Sequence, residues 1–80
     1  MTVVGRTHVV RMYSRRRCGL CDEAREAILS LGLEFEETFI DGDDELEREY
    51  GIRIPVVMID GVEQFEYHVD ASRLRALMKD

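Results

Sequence analysis

The chain has 80 residues, 45% of them hydrophobic and 35% charged, with a net charge of −6. That length excludes a second core, since a domain usually takes roughly 100 to 200 residues, and it makes stability marginal, because folding at this size hides only about 60% of the unfolded chain's surface. Eleven basic residues against seventeen acidic ones disfavour nucleic acid as a partner.

Residues 1–80 are therefore expected to form a single domain. The opening segment from Met1 to Ser14 carries Arg6, His8 and Arg11 and no long apolar stretch. The expectation is no signal peptide, no membrane span and a reducing cytoplasm as compartment. There a close cysteine pair does redox or metal chemistry more often than structural bridging. A bridge between Cys18 and Cys21 would also close too short a loop to stabilise the chain by the ~3 kcal/mol expected of a 15-residue loop. Charge is unevenly spread: residues 1–21 hold five arginines and no acid, whereas residues 22–50 hold two arginines against twelve acids. The acidic middle reads as a solvated face.

Val9, Val10, Met12 and Tyr13 form a short apolar run suited to a buried strand. From Cys21 the period changes: Ala24, Ile28 and Leu31 follow at steps of three, four and three, the stripe of an amphipathic helix that Gly32 stops. Leu33 to Ile40 alternates, with Leu33, Phe35 and Phe39 on one face and Glu34, Glu36 and Thr38 on the other, which predicts a half-exposed strand. Glu37 breaks that alternation and implies an edge position or a bulge. Asp43 caps a short helix carrying Leu46 and Tyr50 and ended by Gly51. Residues 55–60 and 62–68 read as two strands around Asp60-Gly61, a dipeptide that tolerates the positive φ of a tight turn. Asp70 caps a final helix burying Leu74, Leu77 and Met78.

The order is βαβαββα. A helical crossover makes the first two strands parallel and the last two form a hairpin, giving an α/β fold with a mixed four-stranded sheet flanked by helices, compatible with the thioredoxin type.

The segment Tyr13-Ser14-Arg15-Arg16-Arg17-Cys18-Gly19-Leu20-Cys21 sits where the first strand meets the helix. Cys21 belongs to the apolar stripe, whereas Cys18 lies at or before the first turn, where backbone N–H groups are unpaired. One sulfur is predicted exposed and the other shielded. The helix dipole and Arg15 to Arg17 favour a thiolate at Cys18, opposed by Asp22 and Glu23 in the same turn. If the pKa fell from about 8.5 to about 6.5, the thiolate fraction at pH 7 would rise from ~3% to ~75%. Lower intrinsic nucleophilicity returns roughly eightfold of that, which leaves a net gain of about threefold in attack by Cys18. Two other readings compete. The cysteines are inert core residues, or they bind metal; for zinc the chain offers Cys18, Cys21, His8 and His68 as soft donors without motif spacing, and an iron–sulfur cluster would have to be shared between chains.

Together with Ile54-Pro55-Val56 at the start of the hairpin, Tyr13-Ser14-Arg15-x-x-Cys18-x-x-Cys21 resembles the glutaredoxin branch of the thioredoxin superfamily over nearly the whole chain. The resemblance implies that Pro55 is cis and faces the cysteines, and that Ile54 pairs through its backbone with bound thiol substrate. It further implies that Arg15 contacts the glutathione carboxylate and that Asp70 matches a binding aspartate. The sequence departs from the family where Tyr67-His68 replace a Gly-Gly pair that lies close to glutathione, and where Gly19-Leu20 stand between the cysteines.

The resulting expectation is a thiol-disulfide oxidoreductase in which Cys18 attacks and Cys21 resolves. It holds no bound cofactor, and glutathione or another small thiol is a possible reductant. Its partners are a disulfide-containing protein or small-thiol substrate and an electron-donating reductase or small thiol; no nucleic acid, no membrane and a monomer are expected. The alternative is a binding module of the same fold that holds a peptide or a metal without turnover.

Overall fold

The structure, a computed structural model, describes residues 8–79; Arg6 lies outside them. Its elements run β1 (Val10–Ser14), α1 (Gly19–Ser30), β2 (Glu36–Phe39), α2 (Asp44–Tyr50), β3 (Val56–Ile59), β4 (Val62–Glu66) and α3 (Ala71–Leu77). This is the order read from the sequence. The four strands form one sheet in the order β2-β1-β3-β4. β1 and β2 are parallel, while β1 pairs antiparallel with β3 and β3 with β4.

Local chemistry sets the boundaries. Asp43 and Asp70 cap α2 and α3, each carboxylate accepting backbone N–H groups of the first turn. At the hairpin, Asp60 and Gly61 both adopt positive φ, 54° and 83°, as a two-residue turn between right-twisted strands requires. Asp60 also ties the sheet to its start, accepting from the His8 ring at 2.7 Å and from the Val9 N–H at 2.8 Å.

The main core lies on one face of the sheet. Val10, Met12, Val57, Ile59 and Phe65 of the strands meet Ala24 and Ile28 of α1 and Leu74 of α3 there. Tyr13 alternates to the other face, where Tyr50 of α2 stacks on it with ring centroids 4.4 Å apart. No helix among the described residues is long and apolar enough to cross a membrane.

The third apolar run differs from its sequence reading. Leu33 and Phe35 pack on the core as the alternation implies, but the strand covers only Glu36–Phe39, and Phe39 is 40% exposed. Phe39 lies beside Ser14, the last residue of β1, where the sheet ends; the Arg16 guanidinium, 5.3 Å from its ring centroid, covers it instead of a helix. The next residue, Ile40, turns inward and is fully buried. Glu37 is on an edge strand, and its half-buried carboxylate is matched rather than expelled. Arg25 of α1 donates to both its oxygens, at 3.0 and 2.5 Å, and the buried Ser14 hydroxyl donates to it at 2.6 Å.

Candidate active site

A second, smaller cluster forms where β1 and β2 end and β3 begins. It joins Cys21, Ile40 and Ile54, with Tyr13, Cys18, Leu46 and Tyr50 packed against it. Crevices outside strand ends of this kind are where open α/β sheets place their ligands.

The two cysteines differ as their positions dictate. Cys18 is the N-cap of α1, with extended backbone (φ −123°, ψ 109°), and remains half-buried. Its Sγ accepts the Cys21 N–H at 3.1 Å, taking up one of the donors that every helix start leaves unpaired. Cys21, one turn on, is on the buried face shared with Ala24 and Ile28 and has no exposure. The sulfurs are joined as a disulfide with the Cα atoms 5.2 Å apart. Arg17, immediately before the cap, turns the chain into the helix through a left-handed backbone (φ 56°).

The arginines ahead of the pair do different things. Arg15 donates to both carboxylate oxygens of Glu47, at 2.7 and 2.8 Å, and to the Gly51 carbonyl at 3.0 Å. It therefore already holds a carboxylate, one supplied by α2 of its own chain. Arg16 lies over Phe39 and gives its backbone N–H to Asp41. Arg17 is exposed. Of the two acids expected to oppose a thiolate, Asp22 is drawn to Arg25 at 2.7 Å and Glu23 is exposed. Burial, and then Tyr13, push the Tyr50 hydroxyl upward, so Tyr50 brings no charge to the site at neutral pH.

The segment before β3 forms the opposite wall. The Ile54–Pro55 peptide bond is cis, and both residues are buried, Ile54 within the cysteine cluster. Tyr67 follows β4 and closes on this wall: its N–H donates to the Pro55 carbonyl at 2.9 Å and its hydroxyl to the Ile52 carbonyl at 3.0 Å. Its neighbour His68 is exposed. Asp70 spends its carboxylate on the Ser72 and Arg73 N–H groups of α3. Glu47 and Ile52 are the site residues that sequence reasoning missed. Glu47 lies within an acidic run that reads as solvated, and only the bidentate geometry with Arg15 sets it apart.

A buried thiol one helical turn behind an accessible sulfur is suited to forming and opening a disulfide reversibly. Among the described residues no three His, Cys, Asp or Glu side chains are grouped to hold a metal ion.

Residues 9–79 match the model of a family described as the glutaredoxin-like domain. An uncharacterised protein of Mycobacterium bovis is 36% identical, over 84% of this chain and 78% of its own length. A structural-genomics target from X. campestris is 41% identical over 88% of this chain and 95% of that one, with a TM-score of 0.77. A glutaredoxin from Archaeoglobus fulgidus, 22% identical with a TM-score of 0.66 over 89% of this chain and 86% of that one, shares the fold.

Proposed function

The chain belongs to the glutaredoxin-like domain family, and from that premise we propose that it is a thiol-disulfide oxidoreductase acting on protein or low-molecular-weight disulfides. The observation that carries this reading is the unequal pair: Cys18 reachable at the helix cap, Cys21 fully buried one turn behind it and bonded to it.

In the reduced protein the Cys18 thiolate attacks one sulfur of a substrate disulfide. A mixed disulfide forms, and the other substrate sulfur leaves as a thiolate that takes up a proton. Cys21 then loses its proton and attacks Cys18 Sγ. The Cys18–Cys21 bond forms and the second substrate thiol departs, so the substrate gains two electrons and the protein loses two. A reductase or two equivalents of a small thiol, glutathione among the candidates, restore the dithiol and become oxidised.

The supporting residues follow the same logic. Ile54, packed against Cys21, offers its backbone to an extended substrate, and the buried Pro55 fixes the wall behind it. Arg15 meets a substrate carboxylate only by exchanging it for Glu47, which favours substrates that do not need that contact. Asp70 contributes chiefly by capping α3. The compartment that keeps such a dithiol reduced is the cytoplasm.

Disulfide reduction by the wild type, Cys18→Ser and Cys21→Ser tests the reading. The expected result is loss of turnover in both variants and accumulation of a mixed disulfide on Cys18 in Cys21→Ser. Equal turnover in wild type and Cys18→Ser would refute the assignment.

A further inference from the structure

Two large apolar side chains outside the core flank the Ile54–Pro55 segment, whose Ile54 belongs to the cysteine cluster, and form a rim there. Ile52 is 89% exposed and Tyr67 43% exposed. They are held together, since the Tyr67 hydroxyl donates to the Ile52 carbonyl at 3.0 Å. The backbone at Tyr67 is strained: φ is 69°, and the His68 N–H reaches the Glu66 carbonyl at 2.7 Å, closing a γ-turn on a residue with a bulky side chain. A non-glycine residue stays in that region only when its surroundings over-determine it. Here the Tyr67 N–H is fixed to the Pro55 carbonyl at 2.9 Å. Tyr67 thus grips the 52–55 segment at both ends, with Ile54, the neighbour of Cys21, between the two grips.

The charge between Ile52 and Ile54 is satisfied within the chain. Arg53 donates to Glu63 at 2.7 Å and to Glu66 at 3.1 Å, and its guanidinium lies over Tyr50. What the rim offers a ligand is therefore apolar surface, beside the segment that Ile54 ties to the cysteine cluster.

We propose that Ile52 and Tyr67 determine specificity, selecting polypeptide disulfides in which an apolar side chain flanks the reacting cysteine. The inference rests on the oxidoreductase reading and names the substrate class of that site. An extended peptide joined to Cys18 lays its neighbouring side chain on the rim. An apolar group there leaves water against Ile52 and Tyr67, and a polar one of similar size gains little. A small disulfide without flanking residues has nothing to place there.

The test uses two model peptides, identical except for Leu or Ser beside a disulfide-bonded cysteine. Each is reacted in excess with pre-reduced protein in single turnovers, reading the half-saturating peptide concentration and the limiting rate. In the wild type the Leu peptide is expected to half-saturate at about a fivefold lower concentration, the low end for an apolar contact on an open rim, with an equal limiting rate. Ile52→Ser removes one wall. Tyr67→Gly removes the other and suits the positive φ, so the fold tolerates it. Each is expected to bring the half-saturating concentrations of the two peptides within about twofold of one another, read as their ratio within each variant. Equal half-saturation of both peptides in the wild type, or a preference that survives both substitutions, overturns the inference. Failure of the oxidoreductase reading is distinct: neither peptide is then reduced at all, and both claims fall.

Discussion

Arg15 and Glu47, 32 residues apart, meet side by side through two hydrogen bonds of 2.7 and 2.8 Å. The contact fastens α2, which has no fully buried residue of its own, to the loop that delivers Cys18. It also occupies the Arg15 guanidinium with a carboxylate of the chain itself. Glu47→Gln is therefore expected to quicken reduction of a small disulfide bearing carboxylates by about two- to fivefold, the range in which one partly exposed ion pair acts. Disulfides without a carboxylate should be unaffected. Initial rates with the two substrate kinds check this, and a uniform change in both would assign Glu47 to holding α2 alone.

The hydrogen bond from the Cys21 N–H to Cys18 Sγ, 3.1 Å in the disulfide, strengthens when that sulfur carries charge. The reduced protein should therefore alkylate at Cys18 with a half-maximal pH below the free-thiol value of about 8.5. Asp22→Asn should lower it further by removing an anion from the first turn of α1. Iodoacetamide rates from pH 5 to 9 report this, with Cys18→Ser as the blank. A midpoint at or above about 8.5 would leave Cys18 without its advantage as the attacking thiolate.

What the sequence disclosed was whatever depends on near neighbours along the chain. The three-residue spacing of Cys18 and Cys21, set against the Ala24 and Ile28 stripe, already separates an accessible sulfur from a buried one. Asp60-Gly61 identifies the hairpin because few dipeptides accept two positive φ angles. The pairs that complete the site are different in kind. Arg15 finds Glu47 and Arg25 finds Glu37 across the fold, and in the sequence these carboxylates are indistinguishable from solvated ones. Phe39 follows the periodicity of Leu33 and Phe35, yet sits where the sheet ends and has no helix to pack beneath. Tyr67 left no local signal, since its left-handed backbone is imposed by Pro55 and Glu66 rather than by its own preference.

The core makes a sharper statement about α3. Leu74 is fully buried against the sheet, whereas Leu29 on α1 is 56% exposed. Leu74→Ala should cost about 2–5 kcal/mol, a large share of the roughly 4–12 kcal/mol available to a chain this size. Leu29→Ala should stay within about 0.5 kcal/mol. Urea unfolding of the two variants separates them, and similar midpoints would mean that α3 is not docked as described.

Acid should uncouple β2 from α1. The Glu37 carboxyl is held below its ordinary range chiefly by the Arg25 guanidinium, with burial opposing and the Ser14 hydroxyl assisting. A carboxyl whose folded pKa is depressed stabilises the fold fully above its unfolded pKa, about 4.3, and loses that contribution as pH falls through the lower folded value. Glu37→Gln should therefore cost about 1–2 kcal/mol at pH 7, limited by the solvent that still reaches the pair. The gap from wild type should hold steady down to about pH 5 and close below about pH 4. Asp60, depressed by His8 and the Val9 N–H, weakens both proteins over the same range, so only the difference between them reports on Glu37. Urea midpoints at pH 7, 5, 4 and 3 measure that difference. A gap that persists undiminished at pH 3 would show that shape rather than charge makes Glu37 matter.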